Sequence, residues 1–171
     1  MPEMSVNALK ANLSNPQRDF LWEILIPSPV GDGEVQVYNL RAQSTTIPAR
    51  GQGAIPIPFK QTAGIMVPGK LSFDHEWACT FIEGEDKKVW DAINSWMNKV
   101  VNVGTGVGEG DSEIKTDIYL TLIEVGGDIS LKLKLKGCYP KSLEAVPLSY
   151  ETEAIVKYPV TFSFDYVETS S

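Results

Sequence analysis

Apolar and polar residues alternate along most of this chain, and the alternation predicts strands. In FLWEILIP (20–27), Phe20, Trp22, Ile24 and Ile26 fall on one face at a period of two. SPVGDGE carries turn residues, and EVQVYNL (34–40) reads as the returning strand. KLSFDHEWACTFI (70–82) reads as one long strand. Leu71, Phe73, His75, Trp77, Cys79 and Phe81 share one face, and Ser72, Asp74, Glu76, Ala78 and Thr80 share the other. TDIYLTLIEV and DISLKLKLKG form a hairpin about Gly126-Gly127-Asp128. Its second strand alternates Leu131, Leu133 and Leu135 with Lys132, Lys134 and Lys136, which predicts one buried face and one cationic face. YPVTFSFDYVE supplies a last strand, with Val160, Phe162, Phe164 and Tyr166 on its buried side.

Only one segment shows a convincing helical period. In GEDKKVWDAINSWMNKV, Val89, Trp90, Ile93, Trp96, Met97 and Val100 form a single stripe, so a helix is expected over about 85–100 with these residues against a sheet. Glu85 and Asp86 in its first turn and Lys99 in its last suit the helix dipole. Residues 1–19 are mostly polar and are expected to be mobile, with a short helix around Ala8–Leu13. GTGVGEGDS (104–112) is a flexible loop. The pattern therefore predicts a mainly β protein: two packed antiparallel sheets, sandwich- or barrel-like, with one flanking helix. Residues 20–171 form a single domain, the default at 171 residues. Without βαβ alternation or a phosphate-binding glycine loop, a nucleotide-binding fold is not expected.

Residues 45–70, TTIPARGQGAIPIPFKQTAGIMVPGK, break the pattern. They are rich in apolar residues yet show neither a helical nor a strand period, and they hold four prolines and four glycines. A loop this long is either functional or disordered. Its prolines favour extended backbone. Ile47, Ile55, Ile57, Phe59, Ile65, Met66 and Val67 would together release on the order of 10–20 kcal/mol gross on burial, before the entropy of ordering. The segment is therefore expected to pack beneath the domain's own sheet or on a neighbouring chain.

Charge favours the neighbouring chain. The net charge is −7, but residues 41–70 hold Arg41, Arg50, Lys60 and Lys70 and no acid; removing that +4 leaves −11 on the rest. A basic arm and an acidic body suit self-association, whereas the acidic balance does not suit a nucleic-acid binder. No run of about 18 apolar residues predicts a membrane helix. The N-terminus lacks a signal-peptide core, which points to cytosolic synthesis. Cys79 and Cys138 lie far apart and are expected to be buried free thiols. His75 is the only histidine, too few for a zinc site of about four ligands. It sits between Asp74 and Glu76, but strand alternation would point those acids away from it, and no nucleophile motif lies nearby. No catalytic, metal or cofactor residue is expected.

In their order, these elements resemble the tail tube proteins of contractile-tailed bacteriophages over roughly residues 16–168. The resemblance rests on FLWEILI, the TxIP turn Thr45-Thr46-Ile47-Pro48, and the IPxPF-like arm from Ile55 to Phe59. It continues through FDHEW, KVWDAINSW, Gly137-Cys138-Tyr139-Pro140 and the final FSFDYVE. It implies two β-sheets with a flanking helix, sixfold rings whose sheets join into one barrel around a channel, and rings stacked into a tube inside a contractile sheath. It also implies a long loop bridging to neighbouring subunits. Residues 45–70 fit that loop, so Ile47, Pro48, Arg50, Ile55, Ile57, Phe59, Lys60, Ile65 and Val67 are the expected interface. The implied partners are further copies of the chain, sheath, baseplate, terminator and tape measure proteins, and double-stranded DNA that passes without specific binding. The implied location is a virion tail assembled in the host cytoplasm. Asp74 and Glu76 are candidates to face the channel. Two other readings stand beside this one: the inner tube of a contractile injection or type VI secretion-like system, and a small β-sandwich hydrolase.

Overall fold

The computed structural model describes residues 5–13, 15–27 and 39–170. The expected SPVGDGE turn and most of the returning strand EVQVYNL lie outside them. Residues 39–41 form a helical turn, and the next strand is β2 (Ala42–Thr45). The N-terminal helix α1 runs Val6–Leu13 and buries no residue.

Two antiparallel sheets share one long strand. In the first, β1 (Trp22–Leu25) pairs with β6 (Thr116–Ile123), which pairs with β7 (Ile129–Leu143). β9 (Tyr166–Ser170) pairs with the first half of β7, Val167 opposite Leu135. In the second sheet, the last residues of β7 pair with β8 (Lys157–Ser163), β8 with β5 (Glu76–Ile82), and β5 with β2. The chain bends between the sheets at Gly137, whose φ of 65° lies in the left-handed region that favours glycine. A Cβ there would stand 2.2 Å from Asp165 Oδ2. Asp117 fixes the same bend: one of its oxygens accepts from the Gly137 N–H and the other from Lys136 Nζ.

The inner faces of both sheets close on one core. Ile24, Ile118, Leu120 and Leu135 come from the first sheet, and Trp77, Cys79, Phe81, Val160 and Phe162 from the second. Helix α2 (Lys88–Val100) adds Val89, Ala92, Ile93 and Trp96. Trp96 Nε1 donates to the carbonyl of Ile114, in the short helix α3 (Asp111–Ile114), so the buried indole keeps its hydrogen bond. Cys79 and Cys138 are buried and free, as expected.

Several expectations need correction. Trp90 is not core: it is 41% exposed beside Tyr158, and Ala92 takes its place in the stripe. The helix starts at Lys88, so Glu85 and Asp86 precede it. Its first N–H groups are satisfied instead by Glu83, whose carboxylate accepts from Val89 N and Trp90 N and also pairs with Arg41. Phe20 lies outside β1 and is exposed under the Arg18 guanidinium. The last strand is two strands. The chain breaks at 164–165 and crosses from β5's sheet to β7's, which turns Val167 inward and Tyr166 outward. The lysine face is not a free cationic surface: Lys134 and Lys136 flank Asp117, and Lys132 and Lys134 sit over the Tyr119 ring.

Candidate assembly surface

Residues 45–70 do have a strand period, contrary to expectation. They form most of a separate two-stranded sheet, β3 (Arg50–Phe59) and β4 (Thr62–Phe73), which pair only with each other. The turn is tight, with Phe59 opposite Thr62 and Lys60 at a φ of 47°. The period is invisible in the sequence because it requires one face to be polar, and here both are apolar. Cross-strand partners lie on the same face. Ile55 opposite Val67 and Ile57 opposite Ile65 make one apolar face; Ala54 opposite Pro68 and Pro56 opposite Met66 make the other. Glycines let the strands close: a Cβ at Gly64 would lie 2.5 Å from the Ile57 carbonyl oxygen.

All ten residues of β3 are exposed. An isolated two-stranded ribbon is marginal in water, and this one leaves Ile55, Ile57, Phe59, Ile65 and Met66 about half or more exposed. The prolines determine how it can be covered. In an antiparallel ladder, alternate residues turn N–H and C=O outward, and proline fits only there. Pro56, Pro58 and Pro68 occupy that alternation, so both outer edges lose donors. The hairpin's edges are thus poor templates for extending a sheet, and its exposed apolar area lies on its faces and tip.

The root of the hairpin is held firmly. Before it, Thr45 Oγ1 donates to the Ala78 carbonyl and Trp77 Nε1 to the Thr46 carbonyl. Ile47 and Pro48 lie on this lead-in; Ile47 is exposed and, with Trp22, Leu120 and Leu122, lines a groove of about 320 Å³. After it, the rings of Phe73, His75 and Phe164 cluster at about 6 Å centroid separations.

His75 also ends the expected long strand. Its φ of 57° separates β4 from β5, so 70–82 is not one strand and Asp74 and Glu76 do not share a strand face. His75 is exposed, and its Nδ1–H donates to the Phe164 carbonyl at 3.0 Å. Glu76 pairs with Lys141. Asp74 is exposed and in no ion pair among the described residues. This arrangement offers no nucleophile–base pair. Among the described residues there is also no group of three His, Cys, Asp or Glu that could hold a metal, and no helix long and apolar enough to cross a membrane.

Sequence reasoning missed a second exposed surface. Residues 144–156, between β7 and β8, form an irregular loop tied at its ends by Glu144 N to the Pro159 carbonyl and by Glu83 N to the Val156 carbonyl. Leu148, Tyr150 and Ile155 project into solvent, Tyr150 completely. Without a period or motif, only the conjunction of apolar residues with Glu144, Glu151 and Glu153 marks the loop.

A packed β core carrying an exposed apolar hairpin, and no catalytic or metal constellation among the described residues, is the form of a structural subunit. The comparisons agree. The family described as phage tail tube protein matches residues 26–170, and the chain belongs to that family. It is a structural tail tube protein. No curated protein matches the sequence.

Solved structures share the fold at low identity. A chain of an extracellular contractile injection system, from the PVC sheath–tube complex in the extended state, matches at TM-score 0.66 and 15% identity, covering 98% of this chain and 99% of that one. The anti-feeding prophage cap, a tube-terminating cap, matches at TM-score 0.67 and 14% identity over 92% of each chain. A chain of the PVC sheath/tube terminator matches at TM-score 0.65 and 14% identity, covering 92% of this chain and 98% of that one.

Proposed function

We propose that the chain self-assembles into stacked hexameric rings forming the inner tube of a contractile phage tail, the conduit for DNA ejection. The exposed apolar hairpin carries this reading, together with family membership. Ile47, Pro48, Arg50, Ile55, Ile57, Phe59, Lys60, Ile65 and Val67 are its subunit interface. Sheath, terminator and baseplate proteins are the further partners, by analogy with the injection-system assemblies that share the fold. A tape measure protein and passing double-stranded DNA complete the set. The protein works as part of the tail, assembled in the host cytoplasm, and its role is mechanical, with no catalysis and no cofactor. A second reading, the inner tube of a contractile injection system, is favoured by the identity of those structural neighbours.

A conduit should repel what slides through it. Six copies carry 6 × −7 = −42 formal charges per ring, a field that discourages phosphates from sticking. The channel wall is proposed to be the outer face of the second sheet, where Ala78, Thr80, Thr161 and Ser163 are small and Glu76 is neutralised by Lys141. Asp74, exposed in the break just before β5, is the uncompensated acid proposed to stand beside that face. Negative-stain electron microscopy of purified protein tests the assembly: rings or tubes are expected, and strict monomers at every concentration, even with a baseplate to seed them, refute it.

A further inference from the structure

We infer that the basic hairpin of one copy docks on the acidic 144–156 loop of a second copy, in a head-to-tail contact. The inference rests on the self-assembly reading above and specifies its receiving surface. Three observations support it.

The charges are equal and opposite. Residues 45–70 carry Arg50, Lys60 and Lys70 and no acid; residues 144–156 carry Glu144, Glu151 and Glu153 and no base. None of the six is in an ion pair within the described residues. Both surfaces also expose large apolar side chains: Ile65 and Met66 on one, Leu148, Tyr150 and Ile155 on the other. Apolar area with complementary charge around it is the composition of a specific interface.

The two surfaces also lie at opposite ends of the second sheet. Glu76, next to the hairpin root, pairs with Ser163; Ile82, at the other end of β5, pairs with Lys157, which follows the loop. Seven strand residues separate the ends by about 20 Å. A contact between unlike surfaces at opposite ends is heterologous and repeats from copy to copy instead of closing on itself as a two-fold dimer.

The test is a charge swap in the full chain. One variant carries R50E, K60E and K70E; a second carries E144K, E151K and E153K; a third carries all six. The residues are on the surface, so folding should persist, and circular dichroism checks it. Each triple variant turns three attractions into repulsions and should raise the assembly threshold, read by sedimentation, at least about tenfold; the sixfold variant should recover most of that loss. Folded variants in which the sixfold change gives no recovery overturn the contact while wild-type assembly preserves the tube reading. Failure of the wild type to assemble overturns both.

Cross-linking gives an independent readout. A Lys60→Cys chain mixed with a Glu153→Cys chain should oxidise to the mixed disulfide dimer, because native Cys79 and Cys138 are buried. Absence of that dimer under assembling conditions refutes the contact.

Discussion

Replacing Ile57 and Phe59 with Asp should abolish assembly and leave the subunit folded. In the isolated chain these side chains still present 46% and 61% of their surface to water. The core loses nothing when they go, and subunit stability should move by no more than about 0.5 kcal/mol, as for ordinary surface changes. In the proposed assembly the exposed portions, together about one full side chain, would be covered. Full burial of a large apolar side chain is worth roughly 1.5–3 kcal/mol, and a carboxylate held there without a partner adds at least about 1–3 kcal/mol. The contact should therefore weaken by about 3–6 kcal/mol, or roughly 10²–10⁴-fold in association. Circular dichroism melts measure the first quantity, and sedimentation velocity across a concentration series measures the second. A variant that loses its β signal or melts many degrees lower would show that the hairpin packs into its own subunit, and the argument from exposure would be wrong.

Three further outcomes follow from other parts of the fold. Gly137→Ala forces a side chain into a left-handed backbone, at about 1–2 kcal/mol. It also drives Asp165 away from Lys115, so a thermal melt should fall by about 3–8 °C, whereas Gly126→Ala, where a Cβ meets no tight contact, should not shift it. Acid should destabilise the subunit. The Arg41 guanidinium holds the Asp86 carboxyl below the usual range. Burial pushes Asp117 up, but hydrogen bonds from Lys136, the Gly137 N–H and Lys134 outweigh it and leave it lowered. A depressed folded value stabilises fully above the unfolded carboxylate value near about 4 and loses that stability as pH falls further; an Asp86→Asn/Asp117→Asn variant, melted between neutral and acid pH, should show a shallower acid loss. Burial pushes the Cys79 and Cys138 thiols up to about 12. Neither should react with a thiol reagent at neutral pH until the protein unfolds, and rapid labelling of the native state would contradict the packing described.

The parts of this fold legible in the sequence were those with one wet face and one dry face. β5, β6 and α2 each bury a stripe that the pattern exposes, and Trp77, Cys79, Phe81, Ile93 and Trp96 all proved to be core. The pattern failed where direction changes without a break in apolar content. FDHEW alternates through His75, yet the backbone reverses its sense there. FSFDYVE alternates through Asp165, yet the chain changes sheets there. Periodicity records which side chains are apolar, not whether consecutive residues keep the same φ and ψ; the left-handed His75 ends a strand without disturbing the parity of Trp77, Cys79 and Phe81, whereas the break at 164–165 shifts it, so that Val167 and not Tyr166 turns inward.

The assembly hairpin was hidden for a different reason, and that reason bears on function. A strand that packs within its own subunit needs one polar face, because the other side of its sheet meets water. Ala54, Pro56, Met66 and Pro68 on one face of the hairpin, and Ile55, Ile57, Ile65 and Val67 on the other, leave no such side. Two apolar faces make sense only if both become covered, and the described chain covers neither. The prolines restrict the remaining option, since an edge that has lost donors is a poor template for a stray strand. On the proposed reading, the absence of polar–apolar alternation in residues 45–70 is itself the mark of a surface that other copies of the chain complete. A ribbon with these faces, but with its prolines changed to valine, should assemble less cleanly. Pro56→Val/Pro58→Val restores two outward N–H donors, and light scattering should show disordered aggregates in competition with rings. Clean assembly of that variant would show that the prolines serve only to stiffen the arm.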